Sequence, residues 1–404
     1  MTGGLIQLGA YGGQNIYFNQ NPTITFFKTV YKKFSNFSTQ HIQQRFDVEP
    51  NLNGITQAPV TCKILRKGDI IQRLYFVIKI PRVTPSLDDT FQWVKKLGYY
   101  MFEYIELVIG NTIIDKLYPE YMDVSGEFLN SDQYEIIQEM IGNVPDMYQP
   151  NPIDTPTPED TLYVPIPFYF TKASGTGIPL ISLQNHDVEL KVLFKPLSKW
   201  YLGTPDTSIR ITDMYFEMEY HFLEKQERDK FALGTHEYLI NQLQVNKFDG
   251  LNAGINNLEL KFNHIVKDLI WIFVRSDNQD NKYYHNHSSG QNDTVLGSNM
   301  VNARFLFNGN ERLEYKDSKF FTHVQVLEHH LRKPAPSVYT YSFSLRPEEF
   351  QPNGGANFSN MNKVEMQTNL VSIGGNYKYN GYIFANTYNF LDIQSGMAGL
   401  KFSN

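Results

Sequence analysis

The sequence predicts an all-β protein made of two consecutive domains of the β-sandwich or jelly-roll type, with a few short helices. Three observations carry that reading. The apolar segments are short and rich in β-branched and aromatic residues, and several alternate apolar with polar positions as half-buried antiparallel strands do. Helical signals are few. The strand pattern of the first half also returns in the second at a nearly constant spacing. A length of 404 residues accommodates two or three domains, each able to bury its own core.

In chain order, strands are expected at 70–80 (IIQRLYFVIKI), 104–110, 161–169, 187–194 and 211–220. A second series follows at 238–245, 256–262, 268–275, 303–309, 338–345 and 377–388. Clusters of Gly, Pro, Asn and Asp separate them, which is turn chemistry. The strongest helix, EKQERDKFAL (224–233), is charged, lies at the chain's midpoint and ends at Gly234, so it marks the domain boundary. Short helices near 119–130 and 317–329 each follow a strand and a Gly-Asn turn, Gly110-Asn111 and Gly309-Asn310. These turns stand 199 residues apart, as do Asp69 and Asp268, each at the start of an apolar strand. Farther on, Phe168 and Phe343 are separated by 175, and Val188-Glu189 and Val364-Glu365 by 176. The shortfall assigns the Pro- and Asp-rich stretch 131–160 to a long loop of the first half alone. A propeller would need repeats of roughly 40–50 residues, and a βαβ enzyme fold would need long helices between strands.

Composition narrows the function. Aromatic residues make up 14% of the chain and charged residues only 19%, the reverse of a disordered protein. A net charge of −6 leaves no basic footprint for nucleic acid. The single cysteine, Cys62, excludes an internal disulfide and reads as a buried, inert thiol in a strand. The opening MTGGLIQLGAYGG lacks the basic start and long apolar core of a secretory signal, and no apolar run reaches membrane-spanning length. There is no phosphate-binding glycine loop and no nucleophile elbow. His236-Glu237 begins a zinc-protease motif that Ile240 breaks. His285 and His287, two apart, could share one face of an extended chain, but no third ligand is placed beside them, and they read as part of a solvated loop. His329-His330 and the acidic pairs Asp88-Asp89 and Glu348-Glu349 read as ordinary polar surface. Acceptor sequons for N-glycans occur at Asn36, Asn286, Asn292 and Asn357. Asn286 and Asn292, in the longest polar loop, are the candidate attachment sites by accessibility. No enzyme signature and no cofactor site emerges.

Several blocks of residues resemble one family. GGLIQLGAYGGQNIYFNQNPTITFFKTVYKKFSNF (3–37), with Asn21-Pro22 and Phe26-Phe27, is similar to the opening of the major capsid proteins of nucleocytoplasmic large DNA viruses. The stretches 162–190, 222–244 and 389–404 resemble that family's first-domain closing strands, inter-domain segment and C-terminal end. SFSLRPEEFQPNGGANFSNMN (342–362) resembles its most recognisable motif, through Arg346, Pro347, Gln351, Pro352, Asn357 and Phe358. The family's Gly-Thr-Cys after Gln-Pro is replaced here by Asn353-Gly354-Gly355-Ala356. The resemblance implies a double jelly roll, each roll two facing four-stranded sheets. It would be laid out as an N-terminal arm (1–25), a first roll (26–222), a linker helix (223–236) and a second roll (237–404). It also implies a structural, non-enzymatic role with no cofactor. The expected assembly is a homotrimer forming a pseudo-hexagonal capsomer in the icosahedral shell of the virion, assembled in the host cytoplasm. Implied partners are neighbouring capsomers, minor capsid and penton proteins and an inner viral membrane beneath the shell, with no direct contact to nucleic acid. The loops 82–98, 131–160 and 276–300 are expected to form an outer crown. A minor or paralogous capsid protein and a carbohydrate-binding β-sandwich are the alternatives.

Overall fold

The computed structural model describes residues 2–54, 57–87, 89–151, 155–374 and 377–403. The chain falls into two compact units, Met1–Asn36 and Phe37–Asn404. The first contains two seven-residue helices, α1 (Gly3–Gly9) and α2 (Gly13–Asn19), neither of which buries a residue.

Among the described residues, sixteen strands form the main paths of the four large sheets of the second unit. In the first half these are β1 (Phe37–Gln44), β2 (Val60–Lys63), β3 (Ile70–Ile80), β4 (Phe102–Ile109), β5 (Thr112–Leu117), β6 (Asp160–Pro165), β7 (Val188–Phe194) and β8 (Met214–Leu223). In the second half they are β9 (His236–Leu251), β10 (Gly254–Glu259), β11 (Ile265–Arg275), β12 (Met300–Phe307), β13 (Asn310–Asp317), β14 (Val338–Ser342), β15 (Val364–Leu370) and β16 (Tyr379–Gln394). The first half makes sheets of order β1-β8-β3-β6 and β2-β7-β4-β5. The second makes β9-β16-β11-β14 and β10-β15-β12-β13. Raising every label by eight converts one half into the other, so the duplication is written in the hydrogen bonding. Even the appended two-residue strands correspond, Ile178–Pro179 on β3 and Ala356–Asn357 on β11.

The internal matches survive unevenly. β7 and β15 share one burial pattern, inward at every second residue, and begin at Val188 and Val364 as their spacing predicted. The hairpin match slips by one residue. Gly110 and Asn111 hold positive φ (53° and 71°) in the first half, and Asn308 and Gly309 do so (50° and 79°) in the second. Both are two-residue turns with left-handed central positions, which Gly and Asn adopt in either order. The Asp69–Asp268 match fails. Ile71 pairs with Ile178 and Val266 with Ala356, so Asp268 lies inside β11 whereas Asp69 precedes β3.

Two expected loops are ordered. Within 131–160, α4 (Ser131–Met140) forms because the Asn130 side chain caps it, accepting from the Gln133 N–H at 2.9 Å. It follows α3 (Pro119–Gly126); residues 152–154 lie outside the described residues. Within 82–98, Phe91–Trp93 pairs with Tyr201–Gly203, and Phe91, Trp93 and Leu97 are wholly buried. Asp88 of the acidic pair lies outside the described residues.

One hydrophobic core fills the first sandwich and continues through Ile270, Ile272 and Val274 of β11 and Tyr382, Phe384, Leu391 and Ile393 of β16. The other core fills the second sandwich and takes the alternate residues, Leu269, Trp271 and Phe273 of β11 with Ile383 and Ala385 of β16. A strand turns successive side chains to opposite faces. β11 and β16 therefore form a wall buried on both sides, which is why β11 reads as a near-continuous apolar run.

Candidate functional surfaces

The N-terminal unit exposes its family-like residues. Asn21 adopts φ 54° ahead of Pro22, and Phe26 and Phe27 are 89% and 98% exposed. Leu8, Tyr17, Phe18, Val30, Tyr31 and Phe34 are exposed as well. The segment carries Lys28, Lys32 and Lys33 and no acidic residue. It is a basic, aromatic ribbon with large apolar groups in water, the composition of a contact surface.

The C-terminal motif is a loop tied on itself and clamped to β11. Asn353 accepts from the Arg346 N–H at 3.0 Å and donates to the Arg346 carbonyl at 2.9 Å. Arg346 pairs with Glu349 at 2.9 Å. The Lys267 ammonium donates to the Pro347 carbonyl at 2.7 Å. Gln351 and Pro352 are exposed at the turn. Asn357 pairs with Ile265 on β11, and Phe358 plugs the second core against Phe262, Phe307 and Phe343. At Gly355 a Cβ would stand 2.5 Å from Ile265 Cγ2, so the loop lies on β11 only because that position has no side chain. Asn353 stood out in the sequence only as a departure from the family motif, and Lys267, which also holds this loop, left no mark there.

A buried ionic cluster joins the two halves. Lys96, itself at φ 55°, bonds Asp123 and, at 3.0 Å, Glu127 of the α3 region. Arg332 from the second half reaches Glu127 at 3.2 Å and lies 3.5 Å over the Tyr134 ring. Tyr100 donates to Asp123 at 2.7 Å. Burial works against every charge here. The two carboxylates nonetheless hold the Lys96 ammonium well above its ordinary range, and Lys96 with His287, 3.5 Å away, holds Asp123 below the carboxylate range. On β5 the Asp115 carboxylate accepts from the Leu243 N–H of β9 at 3.1 Å, and burial raises that carboxyl to about 6.

The candidate glycan positions separate. Asn286 was expected to be accessible and is not. It is 1% exposed, and its amide donates to the carbonyls of Asn292 at 2.7 Å and Thr294 at 3.1 Å while its oxygen accepts from the Ser288 N–H at 3.0 Å. It is the hub that folds the polar loop, and a glycan there would destroy those bonds. Asn292 is exposed. His285 faces Asp293 at 3.0 Å and His287 is buried, so the two do not converge. His329 meets the Leu345 carbonyl, and His330 is held between Glu348 and Thr340. Among the described residues no group of His, Cys, Asp and Glu could hold a metal ion, and no helix is long and apolar enough to cross a membrane. Burial, with Asp47 nearby, pushes the Cys62 thiol up to about 12.

Two family models match in tandem. Residues 25–219 match the major capsid protein N-terminus, and residues 227–399 match the large eukaryotic DNA virus major capsid protein. The major capsid protein of Pyramimonas orientalis virus is 33% identical over the full length of both chains. The chain belongs to the major capsid protein family of large eukaryotic DNA viruses. The capsid protein of Paramecium bursaria Chlorella virus 1 is 28% identical, and probable capsid protein 4 of Acanthamoeba polyphaga mimivirus 25%, again over full lengths. Among solved structures, PBCV-1 VP54 superposes with a TM-score of 0.79 at 25% identity, covering 94% of this chain and 100% of that one. The Faustovirus major capsid protein shares the fold at 11% identity, with a TM-score of 0.77 over 95% of this chain and 94% of its own. The two repeated sandwiches are thus the double jelly roll of a capsid protein.

Proposed function

We propose that this capsid protein is the repeating subunit of the shell and works as a homotrimer. Each chain supplies two topologically equivalent sandwiches, so three chains around an axis present six, a pseudo-hexagonal block that tiles an icosahedron. The repeated sheet order is the observation that carries this reading. Boundaries near 25, 222 and 236 divide the chain into arm, first roll, linker helix and second roll. The basic, aromatic N-terminal ribbon reaches neighbouring capsomers, or minor capsid and penton proteins, on the inner side, where an inner viral membrane is a further contact. Asn21, Pro22, Phe26 and Phe27 seat that ribbon. Arg346, Pro347, Gln351, Pro352, Asn357 and Phe358 shape the loop that locks onto β11. The exposed turn around Asn292 belongs to the outer crown, where it is the remaining glycan candidate. Assembly takes place in the host cytoplasm, and the chain has no catalytic role and no contact with nucleic acid.

The test is the solution mass of the purified chain. A stable species near three times 46.9 kDa is expected. A monomer would overturn the trimer. The match to a mimivirus protein named probable capsid protein 4 favours one second reading, a paralogous minor capsid protein. Copy number in purified virions separates the two, since a shell subunit dominates the particle and a minor protein does not.

A further inference from the structure

The seam inside the chain joins unlike surfaces of the two sandwiches. The first contributes β5, which ends its sheet, and helix α3. Gln242 of β9 donates to the Ile114 carbonyl on β5 at 2.5 Å. Tyr121 of α3 donates to Asn386 Oδ1 at 2.5 Å, and its ring lies 5.5 Å from that of Phe384. The second contributes the outer face of its β9-β16-β11-β14 sheet, where Ile270, Ile272, Val338 and Phe384 are at most 3% exposed.

Duplication gives each sandwich a copy of both surfaces, so one of each is left over. The spare outer face belongs to β1-β8-β3-β6. Its register matches that of the buried face down to a shared irregularity, between Glu219 and Tyr220 in the first half and between Val266 and Asp268 in the second. With Ile71 at the place of Val266, Tyr75 takes the place of Ile270, Val77 that of Ile272 and Tyr163 that of Val338. Arg73 and Glu219, an ion pair at 3.3 Å, stand where Asp268 and Asn386 do. Gln40 of β1 occupies the place of Gln242, the residue that bridges the internal seam. Yet Tyr163 is 43% exposed, and Gln40 lies in water. The spare counterpart of β5 and α3 is β13, which also ends its sheet, with the helical segments Phe320–Val324 and Gln325–His329. These elements expose Tyr315, Val324 and Leu327, whereas β5 and α3 bury Ile114, Tyr121 and Met122. Apolar groups in water on faces that the other half covers mark contact surfaces.

We propose that the two spare surfaces are partners between copies of this chain. β13 and the adjoining helical segments of one copy pack on the outer face of the β1-β8-β3-β6 sheet of the next, repeating the internal seam. The occupant is a second copy because each chain carries both halves of the contact, and each half continues the geometry of an interface the chain already makes. Such a contact is heterologous, so it joins copies head to tail and yields a ring where the rotation closes. With the homotrimer reading, on which this inference rests, the ring holds three. Arg312 takes the place of Ile114, since Phe307 and Val364 pair as Ile109 and Val188 do. Gln40 of one copy therefore meets the Arg312 carbonyl of the next.

The test uses the full-length protein carrying Gln40→Cys and Arg312→Cys, both at exposed positions, treated with a short bismaleimide. Cys62 is wholly buried and stays silent. The double variant should give a covalent species of three times 46.9 kDa, and each single variant should stay at the mass of one chain. Tyr163→Asp, which sets a charge on the spare sheet face, should raise the dissociation constant of the trimer by about tenfold or more. The parent's solution mass separates the two readings. A trimeric parent whose double variant gives no cross-link, or whose Tyr163→Asp variant dissociates no more readily, overturns the pairing of faces and leaves the trimer standing. A monomeric parent overturns both.

Discussion

Two buried side chains show how single residues set conditions for the whole. Asp115, 6% exposed, titrates near 6 in the folded protein against about 4 in an unfolded chain. The folded state then holds a proton between those values that the unfolded state has released. Its stabilising effect is complete below pH 4 and is lost as pH rises through 6, a difference on the order of 2–3 kcal/mol. Urea denaturation at pH 4 and pH 7 should show Asp115→Asn losing less stability over that interval than the parent. The same loss in both would remove Asp115 as the cause. Asn286 acts by hydrogen bonding. Asn286→Ala leaves the carbonyls of Asn292 and Thr294 without their buried donor and should cost about 2–3 kcal/mol. Hydrogen exchange of the Ser288 and Leu296 amides is the readout, because Ser288 links the loop to both. Unchanged protection would contradict the hub role. Neither behaviour was visible in the chain. The sequon pattern pointed to Asn286 as exposed, and burial of an asparagine depends on partners six and eight residues on that no periodicity announces.

At the scale of elements, the N-terminal ribbon and the helix between the halves make opposite forecasts. Lys28, Lys32 and Lys33 lie in backbone that is exposed throughout. Helix α5 (Lys225–Leu233) is exposed too, but it is fastened. Arg228 meets Asp69 at 3.0 Å, and the Phe231 carbonyl accepts from Ser182 at 2.6 Å and from His236 at 2.8 Å. Limited trypsin digestion should cut first at 28–33 and leave the sandwiches whole. First cuts at Lys225, Arg228 or Lys230 would show the linker to be the looser element. Removal of residues 1–20 should leave the trimer and impair shell assembly, and normal particle yield would refute a role for the ribbon. The interior strands could be read in the sequence because burial dictates their composition. β1 (FSTQHIQQ) and β13 (NERLEYKD) could not, since each pairs on one side only and remains largely in water. The ionic cluster was equally hidden. Lys96, Asp123, Glu127 and Arg332 each look like surface residues until the fold brings them together.

At the scale of the molecule, the shared wall decides how the two sandwiches behave. Their interface is continuous with the first core and is stitched by Tyr121 to Asn386, Gln242 to the Ile114 carbonyl and Arg332 to Glu127. Residues 37–404 should therefore melt in one calorimetric transition with matching calorimetric and van't Hoff enthalpies. Ile270→Ala, at the seam, should lower that transition by about 2–5 kcal/mol without splitting it. Two resolved transitions would mean the rolls are independent. The wall also has to solve a problem of its own. A strand with one wet face knows its register, because a slip of one residue would put its apolar set into water. β11 has no wet face, and a slip that exchanged Ile270 with Trp271 would keep every position greasy. Asp268 and Asn386 stand opposite one another in this pairing and share a 3.0 Å hydrogen bond. A shift of one residue would part them and break that bond. The pair spells the reading frame of the wall, and the discomfort of a carboxyl buried there is what makes that frame unambiguous.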